Sequence, residues 1–117
     1  MDSPAVRRLR KAIEDDSSRI LVGDVVLFEI LQGARDEANA IRLEQLLRTY
    51  RVVPMLDARL ASAAAVHYRR LRRLGITVRK TADMIIGTYC IDGGHELLHD
   101  DRDFVPMAEH LGIRILT

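Results

Sequence analysis

Apolar residues recur along this chain with two spacings, one helical and one extended, and the alternation lays out the elements. Val6, Leu9 and Ile13 repeat at helical spacing behind Ser3-Pro4, a hydroxyl cap with proline in the first turn, which predicts a helix at the start. Arg19-Ile20-Leu21-Val22 reads as a short strand, Gly23-Asp24 as a turn and cap, and Val25 to Leu31 as a strongly apolar helix stopped at Gly33. A further helix runs from about Glu37 to Tyr50 on the stripe Ile41, Leu43, Leu46 and Leu47. Val52-Val53-Pro54-Met55 follows as a strand whose proline favours a sheet edge.

Leu60, Ala64, His67, Leu71 and Leu74 then share one face of a long helix between Asp57 and Leu74, ended by Gly75, with His67 a satisfied, partly buried side chain. Another helix begins near Thr81 and ends at Gly93-Gly94. A strand over Glu96 to His99, an acidic loop, a short helix from about Phe104 to Leu111 and a last strand, Ile113 to Leu116, complete the pattern. Helices alternating with short apolar strands predict an α/β class with a mainly parallel sheet and helices on both faces.

Composition narrows this picture. The 117 residues are 48% hydrophobic and 30% charged, which predicts one small globular domain over residues 1–117 and excludes fibre and disorder. No apolar run approaches the ~20 residues of a bilayer helix and no signal-peptide stretch follows Met1-Asp2-Ser3-Pro4, so a cytosolic protein without a membrane partner is expected. Cys90, the single cysteine, lies in the apolar stretch Met84 to Ile91 and reads as a buried structural thiol. Lys+Arg number 18 and Asp+Glu 17, yet residues 1–80 hold 16 and 10 while residues 81–117 hold 2 and 7. A basic body thus carries an acidic last third, and because that third is interleaved with core residues its carboxylates are held in place. Fixed carboxylates beside arginines suit a divalent ion and a polyanionic substrate.

Three groups of residues carry candidate chemistry. His95-Glu96-Leu97-Leu98-His99 matches the H-E-x-x-H of zinc peptidases, but that chemistry needs a helix, and the segment sits between Gly93-Gly94 and Asp100-Asp101 with no room for one. On a strand the two histidines stand roughly 13 Å apart, too far to share an ion. Glu29 lies in the most apolar helix, where an ionised carboxylate needs solvent, a cation or a metal. Asp83 lies in the first turn of the Thr81 helix, where it complements the dipole, and Asp100, Asp101 and Asp103 follow a strand end, the usual place for ligands in an open parallel sheet. Carboxylates without cysteine favour magnesium or manganese over zinc.

The runs Val25-Val26-Leu27-Phe28-Glu29-Ile30-Leu31-Gln32-Gly33-Ala34-Arg35, Thr81-Ala82-Asp83-Met84-Ile85-Ile86-Gly87 and Leu97-Leu98-His99-Asp100-Asp101-Arg102-Asp103-Phe104, with the closing Gly112-Ile113-Arg114-Ile115-Leu116, resemble the PIN-domain ribonucleases of the VapC toxin type along essentially the whole chain. The resemblance implies a PIN-like three-layer α/β/α fold and a magnesium- or manganese-dependent endoribonuclease, the toxin of a type II toxin–antitoxin system. It implies Glu29, Asp83 and Asp101 as the acidic metal site, Asp103 as an auxiliary carboxylate, and no role for Asp100. An antitoxin partner, an RNA substrate and homodimerisation are expected with it.

One departure stands out. Members of that family open on a short central strand ending in an aspartate, whereas here the first helix starts at once and Asp2, beside the Ser3-Pro4 cap, cannot replace it. The first central strand is therefore expected to be absent, its place lying between Arg19 to Val22 and Glu96 to His99, with the site one carboxylate short. A form extended upstream is expected to restore both. Arg69, Arg70, Arg72 and Arg73 are the candidate substrate-binding cations, against a plain solvated face. Two other readings are a catalytically impaired PIN-like protein that binds an antitoxin or RNA without cleaving, and a helical nucleic-acid binder using Arg7, Arg8, Arg10 and Lys11.

Overall fold

The computed structural model describes residues 7, 11, 14, 15, 20–99, 102 and 104–116. Arg7, Lys11, Glu14 and Asp15 are helical. The elements that follow are β1 (Leu21–Gly23), α1 (Asp24–Gln32), α2 (Glu37–Leu47), β2 (Arg51–Val53), α3 (Ala58–Arg73), α4 (Thr81–Gly93), β3 (Glu96–Leu97), α5 (Phe104–Leu111) and β4 (Arg114–Ile115).

Local chemistry sets most of these boundaries. Asp36 and Asp57 cap α2 and α3, their carboxylates accepting from the backbone N–H groups of Asn39 and Leu60, each at 2.7 Å. At the far end of α3, Gly75 turns left-handed at φ +83° and Ile76 N–H donates to the Leu71 carbonyl at 2.9 Å. Gly94 repeats this after α4 at φ +66°, with His95 N–H on the Cys90 carbonyl at 2.9 Å, so both helices stop where only glycine turns without strain.

Several elements are shorter than the pattern predicts. α2 ends at Leu47 because the Thr49 hydroxyl donates to the Leu46 carbonyl and turns the chain before Tyr50. The first strand is shifted to Leu21–Gly23, Pro54 and Met55 fall outside β2, and His99 falls outside β3. Asp24 is the first residue of α1, and its carboxylate accepts from Met55 N–H at 3.1 Å instead of capping its own helix, which ties the β1–α1 corner to the segment after β2.

The α/β class is as expected, but the sheet is split. β1 pairs in parallel with β2 in the register Leu21↔Arg51 to Gly23↔Val53, and β3 pairs in parallel with β4 at Glu96↔Arg114 and Leu97↔Ile115. Among the described residues no ladder joins the two pairs. Leu116 N–H extends the second pair by a bond of 2.9 Å to the Leu97 carbonyl.

Helix α4 occupies the centre. It packs against α1, α3, α5 and β3, and its Met84, Ile86, Gly87, Thr88 and Cys90 are buried. Apolar over most of its surface, it suits an interior position. Leu60, Ala64 and Leu71 supply the buried stripe of α3, whereas Leu74, expected on that face, is exposed beyond the helix end. α1 and α2 bury no residue completely, and only Val25 and Val26 of α1 pack on the core. Gly87 faces α5, where an added Cβ would stand 2.7 Å from Met107 Sδ and 3.0 Å from Ile113 Cδ1. Because Met107 is fully enclosed, we expect Gly87→Ala to lower stability by about 1–3 kcal/mol, read as a lower urea midpoint with an unchanged slope.

Candidate active site

Asp83 is the third residue of α4 and is only 4% exposed, a carboxylate set among core side chains. Its backbone N–H donates to the Lys80 carbonyl at 3.1 Å, and its place in the first turn puts the charge at the positive end of the helix dipole. Glu29 lies in the second half of α1 and is half-buried. Since α1 packs against α4, the two helices that carry these carboxylates adjoin. Asp101 and Asp103, with Asp100, lie outside the described residues, in the segment between β3 and α5. Among the described residues no group of three or more His, Cys, Asp or Glu side chains is placed to hold a metal ion.

The His95 to His99 segment is not helical, as expected. His95 stacks on Tyr89 with ring centroids 5.3 Å apart, Glu96 is in β3, and His99 lies tilted against Phe104 at 5.0 Å. The two imidazoles thus pack on different aromatic rings, and the zinc-peptidase geometry is absent from this segment.

Arg69, Arg70, Arg72 and Arg73 are all exposed in the last turns of α3, with Leu71 between them buried. Arg70, Arg72 and Arg73 complement the negative end of the helix dipole, so a structural role is built in. Arg79 and Lys80 are exposed immediately before α4, one turn ahead of Asp83. These two precede the helix and so belong to no helix face; their adjacency to Thr81-Ala82-Asp83 is the signal that marks them. At the other end of α4, Arg59 of α3 grips Asp92 through two bonds of 3.0 and 2.6 Å. This hydrogen-bonded pairing holds the Asp92 carboxyl below its usual range and raises the guanidinium.

The PIN domain profile matches residues 1–109. VapC ribonuclease Mb1587 of Mycobacterium bovis and Ribonuclease VapC11 of Mycobacterium tuberculosis are each 34% identical over 106 residues, which is 91% of this chain and 79% of each relative. The chain belongs to the PIN-domain family. Within it, the similarity is to VapC-type members, and the family match takes in every element from β1 to β3.

Two interior groups of this PIN domain lie off the carboxylates. Cys90 is 6% exposed, and burial pushes its thiol up to about 11, as a structural cysteine should be. The native chain should therefore resist iodoacetamide at pH 8 and react within minutes once unfolded in urea, as mass spectrometry will read. His67 is partly buried as expected, but its Nδ1 has no hydrogen-bond partner among the described residues, so it is not satisfied. Desolvation first, and the nearby Arg70 second, lower its pKa below the ordinary 6.5. The unfolded chain then binds the proton more readily, so this contribution to stability is present above about pH 6.5 and is lost as pH falls through the folded-state value. Urea midpoints from about pH 8 to 5 should fall less steeply in His67→Gln than in the parent.

Proposed function

We propose that this chain is a metal-dependent endoribonuclease, the toxin component of a type II toxin–antitoxin pair, that hydrolyses RNA phosphodiester bonds. The observation that carries the reading is the buried Asp83 carboxylate at the start of α4, with the Glu29 helix packed alongside and Arg79 and Lys80 one turn before it. Membership of the PIN family and likeness to relatives named as ribonucleases support it.

Glu29, Asp83 and Asp101 are the proposed ligands of a magnesium or manganese ion, with Asp103 assisting. Their donor set is carboxylate oxygen alone, the chemistry of a hard cation, and the desolvated Asp83 gains from a cation held beside it. When bound, such an ion supplies charge stabilisation to the scissile phosphate and acidifies water for attack. The chain's own cations do the binding: Arg79, Lys80 and the Arg69, Arg70, Arg72 and Arg73 cluster neutralise backbone phosphates, and burial of α4 keeps Asp83 from swinging away when substrate arrives. An antitoxin that covers the acidic site with a basic side chain, homodimerisation and a cytoplasmic location belong to the same reading.

A second reading, a PIN-like protein that binds RNA or an antitoxin without cleaving, is favoured by the split sheet, since among the described residues no ladder joins β1 and β2 to β3 and β4. Manganese-dependent cleavage of a structured RNA separates the two. Under the nuclease reading the chain cleaves, Asp83→Asn lowers the rate at least about 100-fold, and calorimetric manganese binding weakens while the fold is kept. RNA binding without cleavage or manganese uptake by the parent chain would instead establish the second reading.

A further inference from the structure

Between Asp57 and Asp83 the sequence holds six arginines and one lysine and no carboxylate. Arg59 is engaged by Asp92, and because Arg59 is the second residue of α3 and Asp92 the penultimate residue of α4, that grip fixes the helices antiparallel and sets the end of α3 beside the start of α4. The remaining cations divide by position. Leu71 is 1% exposed and shares the core with Met84 and Ile86 of α4. At about 100° per residue, Arg69 and Arg73 stand roughly 160° around α3 from Leu71, on the side turned away from α4. Arg79 lies instead on the connection between the helices, where Val78 is buried in that same core and Arg79, the next residue, is exposed. The Asp83 N–H bond to the Lys80 carbonyl, 3.1 Å, closes the turn that follows. The Arg79 backbone is thus tied to the core on one side and to the Asp83 backbone on the other. Among the described residues the side chains of Arg69, Arg73 and Arg79 join no ion pair.

We propose that Arg79 contacts the phosphate that is cleaved, and that Arg69 and Arg73 hold a neighbouring stretch of the same RNA strand without touching that phosphate. The inference rests on the ribonuclease reading and divides its cations by task. A guanidinium presents two parallel N–H donors to phosphate oxygens, and Arg79 is mounted on backbone fixed relative to Asp83, so those donors meet the negative charge that builds on the phosphate during attack. In that step the oxygen of water bonds to phosphorus and water gives up a proton, while one ribose oxygen leaves and takes up a proton. Arg79 neither gives nor takes one, because a guanidinium stays charged. Lys80 carries a single ammonium and offers no such pair of parallel donors. Arg69 and Arg73 have the width of α3, about 10 Å, between them and the seam with α4, which puts a phosphate beside Asp83 out of their reach. Like charges four residues apart on a helix repel, and a strand phosphate lying between these two relieves that repulsion.

The test measures single-turnover cleavage of a structured RNA in manganese over a range of protein concentrations, and RNA affinity against salt in the Asp83→Asn background. We expect Arg79→Ala to lower the maximal rate about 100-fold with the half-saturating concentration changed less than about threefold, Arg79→Lys to recover only part of the loss, and added ethylguanidinium to restore activity to the alanine variant. Arg69→Ala combined with Arg73→Ala should instead raise the half-saturating concentration about tenfold, keep the maximal rate within about twofold, and flatten the slope of log affinity against log salt by about 0.7 per lost phosphate contact. Melting temperatures should match the parent throughout, since all three side chains are exposed. If Arg79→Ala cleaves at the parent's maximal rate, or shifts only the half-saturating concentration and the salt slope, Arg79 is an ordinary strand contact and the inference is overturned while the ribonuclease reading stands. An equal loss of maximal rate in the α3 double variant overturns it as well. A lost rate that ethylguanidinium does not restore, with a lower melting temperature, assigns Arg79 to the fold and also overturns it. A parent chain that binds RNA without cutting it overturns the ribonuclease reading and this inference together.

Discussion

The central constraint in this molecule is a helix buried over most of its length. Met84, Ile86, Gly87, Thr88 and Cys90 of α4 are buried, and α1, α3, α5 and β3 each pack on it. Such a helix tolerates few polar groups, because each must be desolvated and given a partner. Asp83 is an exception, and its position explains why it is tolerated: it lies in the first turn, where the helix dipole and the nearby cationic segment favour negative charge. The packing that stabilises the core thereby fixes a carboxylate in place, and rotating α4 to move it would break contacts with four neighbours at once.

The distribution of charge follows from the same arrangement. Arg69, Arg70, Arg72 and Arg73 end α3, and Arg79 and Lys80 lead into α4, so the cationic stretch runs along the chain up to the carboxylate. At the opposite end the Arg59–Asp92 pair joins the start of α3 to the end of α4. That pair is exposed, so it contributes more to the alignment of the two helices than to stability. The helices are thus aligned by a buried apolar seam, with ion chemistry at the ends.

The split sheet has a different origin. β1 and β2 are three residues long and β3 and β4 two, and the pairs pack on different helices, β1 on α1 and β3 on α4. α1, the most apolar helix of the chain, buries none of its residues completely, and Phe28 and Ile30 are exposed. A helix that packs beside a half-sheet lacks the continuous surface that would cover its apolar face. The gap between the strand pairs and the shallow packing of α1 therefore accompany each other.

Periodicity, caps and glycines carried most of the local structure. Asp57, Gly75, Thr81 and Gly94 mark the ends of α3 and α4 because capping and left-handed turns depend on neighbours a few residues away, and the failure of His95 to His99 to form a helix follows from flanking glycines and aspartates. The family was legible for a similar reason: Glu29 and Asp83 occur inside distinctive apolar runs. Long-range facts were not legible. The register of β1 on β2, the Asp24 bond to Met55, the Arg59 grip on Asp92 and the orphaned Nδ1 of His67 all join or isolate groups far apart in the chain. Sequence spacing alone determined which residues would lie on each helix face. Only tertiary packing decided which of those faces lost water, because burial depends on what the rest of the chain places opposite, and that is why Leu71 is enclosed while Leu74, Phe28 and Ile41 are not.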